Sequence, residues 1–305
     1  MDISNILIVG SVAFDTIETP TASVEKALGG SATFASMAAS YFASPRVVAV
    51  VGEDFRPEHF ERLENRGIDT GGIERIEGGE TFHWVGKYHE NMQDRDTIDT
   101  RLNVFEGFDP VLPPSYRRSS HVFLGNINPD LQARVLDQVT DARFIGMDTM
   151  NLWIAETPDE LKLVLRRVDA LFINDEESFQ LSGERQLLNA AEKILELGPK
   201  YVVIKRGEYG AVLFGRGLPP ILAPAVLLRS VVDPTGAGDA FAGGFMGYIA
   251  GASEIDRPTL ARAMVMGAVM ASFAVQAFSI DGLLQLETAK IEERRDSLMT
   301  MIDCR

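Results

Sequence analysis

The feature that most constrains this chain is the stretch Val231 to Gly244, V-V-D-P-T-G-A-G-D-A-F-A-G-G. An apolar run ends in Asp233, a proline and two glycines turn the backbone, and Asp239 opens a small-residue segment that reads as a helix. A turn of this kind leaves backbone N–H groups unpaired at the start of a helix, where their partial positive charge seats an anion such as phosphate. A carboxylate beside that seat would repel a phosphate unless it had a proton to collect. Asp239 therefore reads as a general base next to a phosphoryl acceptor. The same letters also describe a first-turn acid that stabilises its helix through the macrodipole.

The 305 residues suffice for one large α/β domain or two smaller ones with a substantial core. Asp and Glu outnumber Lys and Arg by 44 to 29, a formal net charge of −15. That balance argues against nucleic acid or an anionic membrane as partner, since both reward clustered cations. A nucleotide bound here must rely on local N–H groups and a metal ion. The single cysteine, Cys304, excludes an intramolecular disulfide and suits a reducing cytosol. The opening M-D-I-S-N-I-L-I-V-G has no basic region before its apolar run, so no secretory signal and a cytoplasmic location are expected. Ala263 to Ile280 is weakly charged, but Gly267, Ser272, Gln276 and Ser279 interrupt it, and it reads as a buried helix.

Along the chain, Ile6 to Val9 predicts a buried parallel strand ending at Gly10. The G-x-G-x-x-G fingerprint of dinucleotide binding is missing after it, which disfavours nicotinamide chemistry. Asp15 follows just beyond that strand, where open α/β sheets place their ligands, although a loop acid would look the same. Gly29-Gly30 opens a small-residue helix, Ala32 to Ala43, whose bare backbone allows close approach of a ligand or of another helix. Arg46 to Val51 predicts a strand and Pro57 to Asn65 an amphipathic helix. From Gly71 to Phe108 the helical signal is lost, and strands around Thr81 to Tyr88 and Thr97 to Val104 predict a small sheet projecting from the main domain.

After His121 the pattern is regular. Strands are expected at His121 to Leu124, Phe144 to Met147, Ala170 to Ile173 and Tyr201 to Ile204, with helix starts at Asn128-Pro129-Asp130 and at a Thr157 to Glu160 capping box. Such alternation implies right-handed crossovers and a mainly parallel sheet. Asn174-Asp175-Glu176-Glu177 lies at a strand's C-terminal end, where an N-cap with first-turn acids and a ligand site are equally good explanations. Pro258 to Ala277 predicts a buried helix and Leu286 to Met301 an amphipathic one.

The segment D-P-T-G-A-G-D-A-F-A-G-G-F resembles the C-terminal signature of the PfkB/ribokinase family of carbohydrate and nucleoside kinases, and the resemblance extends from Gly10 to about Ala277. It implies a single three-layer ribokinase-like α/β domain over 1–305, with a mainly parallel central sheet and a β lid formed by about 16–28 and 79–107. It implies ATP and Mg²⁺, and in some relatives a monovalent cation near Asp233. By the same resemblance Asp239 is the base, and the N–H groups of Gly236, Ala237 and Gly238 stabilise the transferred phosphoryl group. Asp15, Gly29 and Gly30 hold the acceptor. Lys205, Gly207 and Gly210 of K-x-G-x-x-G line the ATP site with Asp233 and Thr235, and Asn174 and Glu177 of N-x-x-E meet Mg²⁺ through water. Phe34 stands where the family often has Asn, which points to an acceptor with an apolar or aromatic part, or to a core ring.

The expected activity is ATP-dependent phosphorylation of a hydroxyl, in the first instance the hydroxymethyl of a sugar or sugar derivative. A nucleoside kinase is the alternative, favoured by Phe34 and the lid aromatics Phe82, Trp84 and Tyr88. A noncatalytic ligand-binding relative is disfavoured because it has no use for Asp239. The expected partners are a small-molecule acceptor and a second copy of the chain, met through the lid.

Overall fold

The computed structural model describes residues 4–302, so Cys304 lies outside the described residues. The strands are β1 (Asn5–Val9), β2 (Ala13–Glu18), β3 (Ser23–Gly29), β4 (Ser44–Gly52), β5 (Asp69–Ile76), β6 (Phe82–Tyr88), β7 (Arg95–Arg101), β8 (His121–Leu124), β9 (Phe144–Asp148), β10 (Ala170–Asn174), β11 (Tyr201–Lys205), β12 (Ala211–Gly215) and β13 (Leu218–Ala223). The helices are α1 (Ser31–Ala39), α2 (Pro57–Glu64), α3 (Pro129–Gln138), α4 (Asn151–Glu156), α5 (Pro158–Leu165), α6 (Asp175–Ser182), α7 (Leu187–Leu197), α8 (Ala237–Ala250), α9 (Arg257–Ala274), α10 (Asp281–Leu284) and α11 (Thr288–Ile302).

Nine strands form the main sheet in the order β13-β12-β11-β10-β9-β8-β1-β4-β5. Every pairing from β11 across to β5 is parallel, and the β12-β13 hairpin closes one edge antiparallel. Strand side chains alternate between faces, so β1 sends Ile6 and Ile8 to one core and Leu7 and Val9 to the other. The first core holds Phe34, Phe123, Phe172 and Phe245 with α1, α8 and α9; the second holds Leu136, Leu161 and Ile194 of α3, α5 and α7. This is the expected three-layer arrangement. Its strand ends gather Gly10, Asp148, Asn174 and Lys205 on one rim. Among the described residues no helix is long and apolar enough to cross a membrane.

A second sheet has the order β3-β2-β6-β7. Strand β2 pairs antiparallel with β3 and parallel with β6, and β6 pairs antiparallel with β7. The chain from Gly71 does not go straight into this sheet, as the loss of helical signal suggested. Strand β5 is an edge strand of the main sheet, parallel to β4. Gly72 permits that pairing, because a Cβ there would stand 2.5 Å from the Val47 carbonyl oxygen.

Two local expectations also change. The expected strand end at Val104 becomes a short 3₁₀ turn, Asn103–Gly107. The Thr157 capping box does not form: α4 runs into Thr157, whose hydroxyl donates to the Trp153 carbonyl at 3.2 Å instead of capping α5. Asn128 does cap α3, accepting from Asp130 N–H.

Candidate active site

The signature folds as strand-like exit, turn and helix. Val232 and Asp233 donate their N–H groups to the Val275 carbonyl at the end of α9, which fixes the incoming chain. Asp233 Oδ1 accepts from Thr235 N–H at 2.9 Å, and Gly236 then takes φ 74°, the left-handed conformation that glycine adopts without strain. A side chain at Gly236 would also strike the Phe34 ring at 2.3 Å. Phe34 is 1% exposed, so its ring supports the turn from below. The expected contact between Phe34 and an acceptor is therefore corrected to packing against the loop.

The N-terminus of α8 presents Gly236, Ala237 and Gly238 as expected, with one modification. Ala237 N–H donates to the Pro234 carbonyl at 3.2 Å, whereas Gly236 and Gly238 N–H have no acceptor among the described residues. Two free amides at a helix start, rather than three, leave the kind of donor pair that attracts an anion. Asp239 stands in the first turn of α8. Burial and the nearby Asp148 carboxylate raise its carboxyl well above the usual range, against the pull of Lys205 and Arg95.

Asp15 is brought from the small sheet. It is 6% exposed, and Gly29 makes room for it, since a Cβ there would overlap Asp15 Oδ2 at 1.9 Å. Gly30 takes φ 95° with its backbone against the Ser11 carbonyl, and the Ser11 hydroxyl accepts from Ser31 N–H to start α1. Burial pushes the Asp15 carboxyl up to about 8, helped by the charges of Asp233 and Asp239 and opposed by the Gly30 N–H. The three aspartates thus lie close enough for their charges to act on one another. Asp233 is buried as well, and its Oδ2 has no hydrogen-bond partner among the described residues.

Lys205, the last residue of β11, reaches the opposite side of the loop. Its Nζ bonds Asp148 Oδ2 at 3.0 Å and stands where a Cβ on Gly238 would be only 2.9 Å away. Burial works to lower its pKa, but Asp148, Glu177 and Asp239 together hold it above the ordinary value. An ammonium at a helix N-terminus opposes the dipole, so its position makes sense only among carboxylates or beside a bound anion. Gly207 takes φ 52° and faces open space, whereas a Cβ on Gly210 would meet the Ala223 carbonyl oxygen at 2.1 Å. Gly210 therefore closes the turn onto the end of β13.

Asn174 and Glu177 form a reciprocal capping box on α6. Glu177 N–H donates to Asn174 Oδ1 at 2.7 Å, and Asn174 N–H donates to Glu177 Oε2 at 2.9 Å. The capping reading of N-x-x-E is thus realised in the structure. Burial raises the Glu177 carboxyl to about 7, with Lys205 opposing. No group of three or more His, Cys, Asp or Glu side chains is arranged to hold a metal ion among the described residues.

Two residues of this region were not singled out from the sequence. Asp148 ends β9 and holds Lys205 in place; its signal was a carboxylate at the C-terminal end of a parallel strand. Tyr88, seen beforehand only as one of three lid aromatics, has its hydroxyl 3.0 Å from the Thr235 hydroxyl, so the end of β6 touches the signature loop directly.

Comparison with known proteins gives concordant results. The family model described as pfkB family carbohydrate kinase matches residues 4–282. The chain is 29% identical over 252 residues to the cytidine kinase of Thermococcus kodakarensis, an alignment covering 81% of this chain and 89% of that protein. The structure of Arabidopsis thaliana ribokinase complexed with ribose and ATP superposes with a TM-score of 0.78 at 20% identity, covering 97% of this chain and 99% of that one. An E. coli protein described as a ribokinase II, in complex with ATP and Mg²⁺, also gives 0.78 at 19% identity, covering 98% and 100%. At these identities the two structures fix the fold alone.

Proposed function

We propose a specific phosphoryl transfer for this chain, which belongs to the pfkB family of carbohydrate kinases: from ATP to a hydroxyl of a sugar or sugar-containing small molecule. The observation that carries it is the pairing, at the start of α8, of free amides with a half-buried carboxylate whose pKa is raised. Asp239 takes the hydroxyl proton as the oxygen attacks the γ-phosphorus, the bond to the β-bridging oxygen breaks, and ADP leaves. A base raised toward neutrality holds that proton better than an ordinary carboxylate does. The Gly236 and Gly238 amides and Lys205 face the charge on the transferring group, since such reactions depend on positioning and electrostatics.

Asp15 and the Gly30 backbone hold the acceptor. Mg²⁺ fits the donors present: the half-buried Glu177 carboxylate beside the anion seat suits an ion held mainly by phosphates and water. When bound, it would neutralise phosphate charge. The unpartnered buried oxygen of Asp233 is the atom that a monovalent cation would satisfy. The small sheet acts as a lid within one domain, and the acidic chain works in the cytoplasm.

One observation favours a nucleoside as acceptor. Asp15 and Trp84 are lateral partners in the β2-β6 ladder, so both side chains leave the same face, and the Trp84 ring lies over Gly86. A ring held by Asp15 through its hydroxyls would carry an attached base toward that indole. ATP consumption measured over a panel of pentoses, hexoses, sugar acids and nucleosides tests both readings. The Asp239→Asn variant should bind nucleotide and lose roughly 100-fold or more in turnover; near-normal turnover removes Asp239 from the role.

A further inference from the structure

A phosphate seat walled by Asp15, Asp148, Asp233, Asp239 and Glu177 is electrostatically hostile to a nucleotide unless cations balance it. Lys205 is already committed to Asp148 at 3.0 Å. Arg206 is turned outward, 4.0 Å from Asp175 and over the Tyr209 ring. The remaining cation comes from the β6-β7 hairpin. Tyr88 and Arg95 are directly opposed in that antiparallel pair, so their side chains leave the same face of the sheet. That face is turned to the site, because the Tyr88 hydroxyl lies 3.0 Å from Thr235 in the signature loop. The Arg95 guanidinium stands 5.8 Å from the centre of the Trp84 ring, and the hairpin turn touches the Lys205 to Gly210 loop through Gln93 and Glu208 at 3.5 Å.

Its neighbours on the small sheet are occupied. Lys87 is paired with Glu18 and Arg101 with Asp99, yet Arg95 has no carboxylate within salt-bridge distance among the described residues. Its side chain is exposed. Its charge is felt inside, where it pulls the Asp239 and Glu177 carboxyls down against the effect of burial.

We propose that Arg95 is a further catalytic residue: carried over the seat by the β6-β7 hairpin, its guanidinium contacts the γ-phosphoryl group of the bound nucleotide from the side opposite Lys205. The inference rests on the kinase reading given above. As the acceptor oxygen bonds to phosphorus and the bridging oxygen departs with its electron pair, Arg95 donates hydrogen bonds to the equatorial oxygens and takes no proton. A planar fork of donors suits such a group better than a point charge does. Because the cation travels with the lid strands that flank Asp15, it is in place only when the hairpin covers the acceptor. A bound water is then a poorer competitor for the phosphoryl group.

The test compares wild type with Arg95→Ala and Arg95→Lys in turnover of an accepted substrate, with calorimetric binding of ADP and of a non-hydrolysable ATP analogue, each with Mg²⁺. Arg95→Ala should lower kcat about 100-fold and weaken the analogue at least threefold more than ADP, with an unchanged melting temperature because the side chain is exposed. Arg95→Lys should recover part of the loss. Asp239 is faced by Asp148 and Lys205 from the strand ends, by Asp15 from the small sheet and by Arg95 from the hairpin. Removing the arginine raises the pH at which Asp239 ionises, so the acidic limb of the kcat/KM profile should move to higher pH. A kcat within threefold of wild type overturns the proposal, and so does a loss of kcat with no shift of that limb and equal effects on the two nucleotides. If wild type consumes ATP with no acceptor, the kinase reading fails, while the comparison of analogue with ADP still decides whether Arg95 meets the terminal phosphate.

Discussion

Replacing Asp15 by Asn should make the ligand-free protein more stable and the enzyme worse. The Asp15 carboxyl is raised from 3.8 to about 8, chiefly by burial and then by Asp233 and Asp239. For a group raised on folding, the stability it contributes is complete below the unfolded pKa and is lost as pH climbs through the folded one. Between pH 4 and pH 8 wild type therefore loses stability at this site, whereas an Asn has no charge to bury. With 1.36 kcal/mol per pKa unit, the advantage of Asp15→Asn is about 2 kcal/mol at pH 5, about 4 at pH 7 and about 5 at pH 8. At roughly 2 °C per kcal/mol for a chain of this size, the gap in melting temperature should widen by about 6 °C from pH 5 to pH 8. Differential scanning fluorimetry of both proteins without ligand, in matched ionic strength, measures it. The same variant should raise KM for the acceptor about 2- to 10-fold, the worth of a hydrogen bond to a neutral group. Melting curves that stay parallel across this pH range would refute the reasoning, since the destabilisation could not then come from a buried ionisable group.

Two further variants probe the loop and its cation. Gly236→Ala forces an L side chain into a left-handed conformation and into the Phe34 ring 2.3 Å away, for a loss of about 1–3 kcal/mol. Because Phe34→Ala vacates that space, the double variant should fall short of the summed losses by at least about 0.5 kcal/mol in urea unfolding, and strict additivity would show that the two do not touch. Lys205→Met removes the partner of a buried carboxylate and should lower stability by about 3–5 kcal/mol near neutral pH. That loss should shrink as acid protonates Glu177 and Asp239, both of which are raised, and an equal loss at pH 5 and pH 8 would contradict the assignment.

The signature from Val231 to Gly244 could be read directly, because every part of it is local. A turn that needs glycine at φ 74°, amides left over at a helix start and an acid in the first turn are all fixed within a few residues. The same holds for the Asn174-Glu177 capping box, whose partners are three residues apart. Packing against distant neighbours left no such signal. Gly210 is small because the end of β13 presses on it, and Phe34 is apolar because Gly236 lies above it; neither neighbour is near in sequence.

The chain order of strands, the parallel sheet and the anion seat were set by periodicity, turn chemistry and capping, which act over one or two turns and leave their mark in adjacent letters. Which charges face one another was decided only when the chain closed. Asp15, Arg95, Asp148 and Lys205 come from four strands in two sheets. Their mutual effects depend on separations and burial that arise only on folding, and spacing along the sequence carries no record of those distances.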